Sequence, residues 1–237
     1  MDTYSYKRSI AVNLQILHRN DLPLGGFAGL KEHRLVVDEK VGGNNESWNG
    51  LGNFVYLADA HFVPKGETRL HSHKEIDVIS IMVEGRVVHE GSLEHGKFLD
   101  TNQAQAQRAG GEGFEHNEIN PDNEQNRMLQ LWVLPETEGE PAAYKFYSLD
   151  HGKLTLVYGG TKSQDATLDS HTHIEVGILD QGQKISKAGV FMAYITRGAG
   201  ELNGEKLMDG DLVRGQNLDF TATTDNVLLV VVSNEEL

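Results

Sequence analysis

The sequence predicts an all-β protein built as sandwiches or barrels, and three observations carry that prediction. Short β-prone segments recur, mixing apolar and polar side chains at residues 54–63, 76–83 and 128–134 and running wholly apolar at 190–195 and 227–232. Turn-forming Gly, Asn and Asp separate them, with 26 glycines in the chain and only 5 prolines. No long segment carries the helical period. Successive residues of a strand point to opposite faces, so the segments read as strands, with the wholly apolar ones buried.

Taken in order, Ile10 to Leu17 reads as an early strand, and Leu22-Pro23-Leu24-Gly25-Gly26-Phe27 as a turn or loop. Glu32 to Val37 reads as a strand, and Gly42 to Asn53 as a loop rich in Gly and Asn. Residues 54–63 form the next strand, and Pro64-Lys65-Gly66 turns the chain into His71-Ser72-His73. Ile76 to Val83 is β-prone and buried, with a hairpin or bulge expected at Gly85. Residues 92–97 read as a turn. Gln103 to Arg108 is polar and uninformative. Met128 to Leu134 is the last strand of the first half. The acidic run 136–141, bounded by Pro135 and Pro141, reads as a solvated linker. It divides the chain into a domain at 1–135 and another at 136–237.

The second half repeats the first in weakened form. Gly182 to Lys187 echoes Gly66 to His71, residues 190–195 echo 76–83, and Thr196 to Gly204 echoes the break at Gly85. Lys187 stands where the first half has His71. Asn217 to Thr221 holds neither histidine nor glutamate.

The chemistry concentrates between Gly66 and Asn120. His71 and His73 lie two apart on one strand, and His116 and Glu118 two apart on another, so each pair points one way. Facing each other inside a barrel, three imidazoles and a carboxylate make a site for one divalent transition metal: Fe, Mn, Co, Ni, Cu or Zn. His171 and His173 form a second H-x-H. It precedes the strand equivalent to 54–63 and has no H-x-E to answer it, so it reads as an exposed or interface strand start. His89 and His95, past the Gly85 break, read as solvated.

Composition narrows the classes. The net charge of −14 opposes a surface built to neutralise phosphates, which argues against direct nucleic-acid binding. The chain has no cysteine, hence no disulfide and no thiolate ligand. No apolar run reaches membrane-spanning length and the first residues do not form a secretory signal. These features predict a soluble, cytoplasmic protein.

The motifs resemble those of the pirin family of bicupins, within the cupin superfamily. Its H-P-H-x-x-x-E pattern corresponds to His71-Ser72-His73 with Asp77, its E-G strand end to Glu84-Gly85, and its DS-x-G turn to Gly91-Ser92. Its G-x-G-x-x-H-S-E pattern corresponds to Gly111 through Glu118, and its L-Q-x-W-x-x-P strand to Leu129 through Pro135. Ser72, Asp77 and Asn117 depart from the family's Pro, Glu and Ser, and none of these removes a ligand. The resemblance implies two face-to-face double-stranded β-helix barrels, jelly-roll-like, with a metal, iron foremost, in the N-terminal one alone. It implies His71, His73, His116 and Glu118 as the ligands. Family members are similar to quercetin 2,3-dioxygenases, which implies a small aromatic substrate with Glu118 as the catalytic base. Eukaryotic relatives are described as iron-responsive transcriptional cofactors, which implies the rival function of a regulatory protein acting through a protein partner.

Overall fold

The computed structural model describes residues 14–235 as nineteen strands and two single-turn 3-10 helices, so the predicted all-β class holds. Three sheets build two barrels. One sheet of seven strands and one of four enclose the first barrel, and a sheet of eight closes the second. Among the described residues no helix is long and apolar enough to cross a membrane.

The seven-stranded sheet explains the rest. Of its central strands, Phe54–Phe62 and Asp77–Glu84 are buried on both faces, and Arg127–Val133 is buried on one face and half-buried at Gln130 and Trp132 on the other. Period 2 therefore sorts their side chains into two interiors. Leu57, Ile79, Ile81, Leu129 and Leu131 point away from the first barrel. They pack on Ile174, Val176, Ile178, Tyr194 and Val230 of the eight-stranded sheet, which gives a core shared by both halves. The opposite face presents Tyr56 and Ala58, Ser80, and Gln130 and Trp132 to the first barrel's own interior. Leu30, Phe62, Met82, Val87 and Met128 close the far end of that interior.

The second barrel is filled instead. Phe191, Leu202, Leu218, Phe220, Leu229 and Val231 occupy its interior as a continuous apolar cluster.

Several local expectations change. Gly25–Phe27, expected as a loop, is a short edge strand paired with Leu30–Val37. The break at Gly85 is not a hairpin: Asp77–Glu84 and Arg86–Gly91 belong to different sheets. Gly85, at φ 72°, turns the chain from one to the other, with Asn126 3.0 Å from where a Cβ would sit. Gln103–Arg108, which looked uninformative, is an interior strand. Ala104 and Ala106 join the shared core, while Gln105 and Gln107 are buried on the other side. Glu136 and Glu140 of the acidic run are not merely solvated. Glu136 accepts from Ser170 Oγ and the His171 amide, and Glu140 pairs with Arg108. The early strand is Gln15–His18, and the part of that expectation before residue 14 lies outside the described residues. It pairs with Asp211–Ala222 in the second barrel's sheet, while Ala143–Ser148 pairs back onto Gln103–Arg108 in the first.

Candidate metal centre

The two motifs meet across one ladder. His71–His73 runs antiparallel to Phe114–Ile119, with His71 opposite His116 and His73 opposite Phe114. Side chains of the two histidine positions on the short strand and of His116 therefore share one face. The Nε2 atom of His116 lies 3.0 Å from that of His71 and 3.1 Å from that of His73. These three atoms form the only cluster of metal-ligating groups within mutual 4.8 Å reach among the described residues. Glu118 stands two residues on from His116, fully buried, and is not part of that cluster.

Local structure holds each imidazole. Arg69 adopts a left-handed φ of 66°, and its carbonyl accepts from His71 Nδ1 at 2.9 Å. A carbonyl only accepts, so Nδ1 carries the proton and the lone pair of His71 Nε2 faces the other two rings. Burial, then the neighbouring His71, pushes His73 down to about 4. Burial, then His71 and His73, pushes His116 down to about 2. At neutral pH both rings are uncharged, the form that ligates a metal.

Three converging lone pairs, with no carboxylate among them to neutralise a proton, are an arrangement that a cation satisfies. The buried Nδ1 of His116 has no hydrogen-bond partner within the described protein. The donor set fits a divalent transition metal on these grounds.

Glu118 occupies a different niche. Its Oε1 accepts from Ser80 Oγ at 3.1 Å and its Oε2 from Gln130 Nε2 at 3.3 Å. Ser80 and Gln130 are cross-strand partners, so one register places both donors. Burial pushes the Glu118 carboxyl up to about 7, against the opposing pull of the Ser80 hydroxyl. Thr68 donates to Asn117 Oδ1 and accepts from the Glu118 amide, which fixes the backbone between His116 and Glu118.

A cavity of about 460 Å³ opens above His71 and His73. Tyr56 and Trp132 stack at 4.2 Å to form its flat wall, Phe27, Val37 and Val41 add apolar surface, and Glu32, Arg34 and Gln130 supply the polar groups.

His89, expected to be solvated, is buried. The strand after Gly85 resumes alternation with Val87 and His89 inward, and the His89 ring is fully buried 5.2 Å from that of His116. Its Nε2 meets the Gln107 amide at 3.3 Å. The signal was the two-residue spacing from Val87, masked by the neighbouring charges. His171 is exposed at the start of Ser170–Leu179, as expected, but lies within that strand rather than before it. His173 is half-buried near Lys187, which pairs with Glu175 and Glu235.

The second barrel carries the same ladder without the ligands. Lys187 faces Leu218, as His71 faces His116, and Phe220 follows where Glu118 would stand.

The model of the family described as pirin matches residues 39–133, the stretch that holds all four motif residues. Over that stretch the chain resembles the pirin family, and its two β-barrels share the bicupin fold. The crystal structure of the bacterial pirin YhhW from Escherichia coli in complex with nickel(II) superposes on it with a TM-score of 0.80. That match covers 94% of this chain and 100% of YhhW at 18% identity, a likeness of fold. A Zymomonas mobilis protein named provisionally as a quercetin 2,3-dioxygenase is 23% identical over 192 residues, 76% of this chain and 81% of its own length. The quercetin 2,3-dioxygenase of Escherichia coli K12 is 24% identical over 148 residues, 60% of this chain and 64% of its own length.

Proposed function

We propose that this pirin-like chain is a metal-dependent dioxygenase acting on quercetin or related flavonols. The observation that carries the proposal is the cavity above the histidines. A regulatory metal centre expects little or no space over the ion. Here about 460 Å³, walled by Tyr56 and Trp132, lies against His71 and His73, a size in the ordinary range of small-molecule sites. The relatives named for quercetin cleavage support the same choice.

In this reading His71, His73 and His116 hold the ion, with Glu118 completing the set when its side chain turns toward them. We propose iron as that ion, while the same donors accept Mn, Co, Ni, Cu and Zn. When bound, the ion acts as a Lewis acid and lowers the pKa of a substrate hydroxyl. The protein supplies the rest. Tyr56 and Trp132 orient the flat substrate, and the apolar wall excludes water. Glu118, in a dry niche with a carboxyl near neutrality, takes the proton from the substrate's 3-hydroxyl.

The test is aerobic quercetin turnover by the metal-loaded protein, followed as oxygen uptake and carbon monoxide release. Glu118→Gln should keep the three histidines and lose activity by about 100-fold or more, the range expected for a general base. A fully metallated wild type that consumes neither flavonol nor oxygen contradicts the proposal.

A further inference from the structure

We propose that Arg34, held by Glu32 and Tyr56, is a specificity-determining subsite for a pair of adjacent hydroxyls at the substrate end remote from the metal. The proposal rests on reading the cavity above the histidines as the substrate site.

Glu32 is a buried carboxylate in a wall of that cavity, 2% exposed. Its Oε2 accepts from Tyr56 Oη at 3.0 Å. Its Oε1 accepts from Arg34 Nε at 2.7 Å and Nη2 at 2.6 Å. One edge of the guanidinium is thereby locked. Its Nη1 makes no hydrogen bond or ion pair among the described residues, and the Arg34 side chain is 46% exposed. A planar fork of N–H donors, fixed from behind and open in front, matches two adjacent oxygens.

Register gives the reach. Arg34 sits opposite Ala58, and Ala58 sits opposite Gln130, the residue that touches Glu118. Arg34 is therefore two strand spacings, roughly 10 Å, from the strand position beside the proposed base. That is about the length of a fused two-ring aromatic carrying a third ring. The Tyr56–Trp132 stack lies along this span, and the buried Trp132 Nε1 has no partner of its own. An aromatic lying on that wall with its reacting hydroxyl toward the histidines brings its far ring to Arg34.

Charge selects between kinds of oxygen pair. Glu32 balances Arg34, so the subsite is close to neutral, and a chain of net charge −14 does not attract anions. A catechol fits these conditions better than a carboxylate.

The experiment is an anaerobic calorimetric titration of the full nickel-loaded chain with three flavonols. Galangin has no hydroxyl on the far ring, kaempferol has one, and quercetin has an adjacent pair. Wild type should bind quercetin about tenfold more tightly than galangin, the gain expected of a charge-assisted hydrogen bond. Arg34→Met should bring the two within twofold while leaving galangin affinity unchanged. Because that variant leaves Glu32 unpaired, the Glu32→Gln/Arg34→Met double variant is titrated alongside and should behave alike. Equal binding of the three flavonols by wild type overturns the subsite. So does a quercetin preference that survives in both variants, or tighter binding of a 4′-carboxyl analogue than of quercetin. Aerobic turnover of the same samples separates the two proposals. A preference without turnover sinks the dioxygenase reading alone, and turnover without a preference sinks the subsite alone.

Discussion

His116 and Glu118 are two residues apart and are shifted in opposite directions by the same burial. His116 falls to about 2 from an ordinary 6.5, so the stability it contributes is present above pH 6.5 and lost as pH falls. The loss is ~1.4 kcal/mol per pH unit for a ring that must stay neutral. Glu118 rises to about 7 from 4.5, so its contribution is present below pH 4.5 and lost as pH rises toward 7. Between 4.5 and 6.5 the two offset, and His73, lowered to about 4, leaves a net loss on the acid side. The metal-stripped wild type should therefore melt at progressively lower temperature from pH 6.5 to pH 4, and His116→Leu should flatten that slope. Parallel melting curves for the two proteins across this range contradict the assignment. At this scale the sequence was readable wherever period 2 applied to an isolated motif. His71, His73, His116 and Glu118 stood out because each pair sits alone between turns. His89 did not, because its inward direction is set by Gly85 moving the chain to another sheet, which no local pattern reveals.

Strands decide which donors reach which acceptor. Asp77–Glu84 and Arg127–Val133 pair with Ser80 opposite Gln130, and this register delivers two hydrogen bonds to one carboxylate. The Ser80 hydroxyl favours the charged form of Glu118. Ser80→Ala should then keep Glu118 protonated to higher pH, and the acid limb of kcat/KM for quercetin should move upward. An unmoved limb means that Glu118 is not the group whose ionisation the rate reports. The element least legible beforehand was Gln103–Arg108. Alternating Ala and Gln looks polar by composition, yet it is what a strand needs between an apolar core and a polar barrel interior. Asp77 lies on the neighbouring strand. It is buried in a different contact, accepting from Arg108 and Tyr158.

The two barrels are held by more than their shared apolar core. Asp59 of the first accepts from Arg127 and Arg19, and Tyr194 of the second donates to it. Asp209 of the second pairs with the same two arginines. Partners this far apart in sequence could not be read from local patterns, and neither could the strand at Gln15–His18 joining the far sheet. The weakened repeat was legible, because losing ligands while keeping β period leaves a trace: Lys187 against Leu218 where His71 meets His116. Phe191, Leu218 and Phe220 pack the second barrel's interior, and we propose that it holds no ion. The measurement that tests this asymmetry most directly is metal content per chain after loading with iron(II) or nickel(II) and desalting. It is made on wild type, on His116→Leu, and on His173→Leu as the control in the second barrel. The account predicts one ion per chain in wild type and in His173→Leu, and none in a folded His116→Leu. Two ions per chain, or one retained without His116, would contradict it.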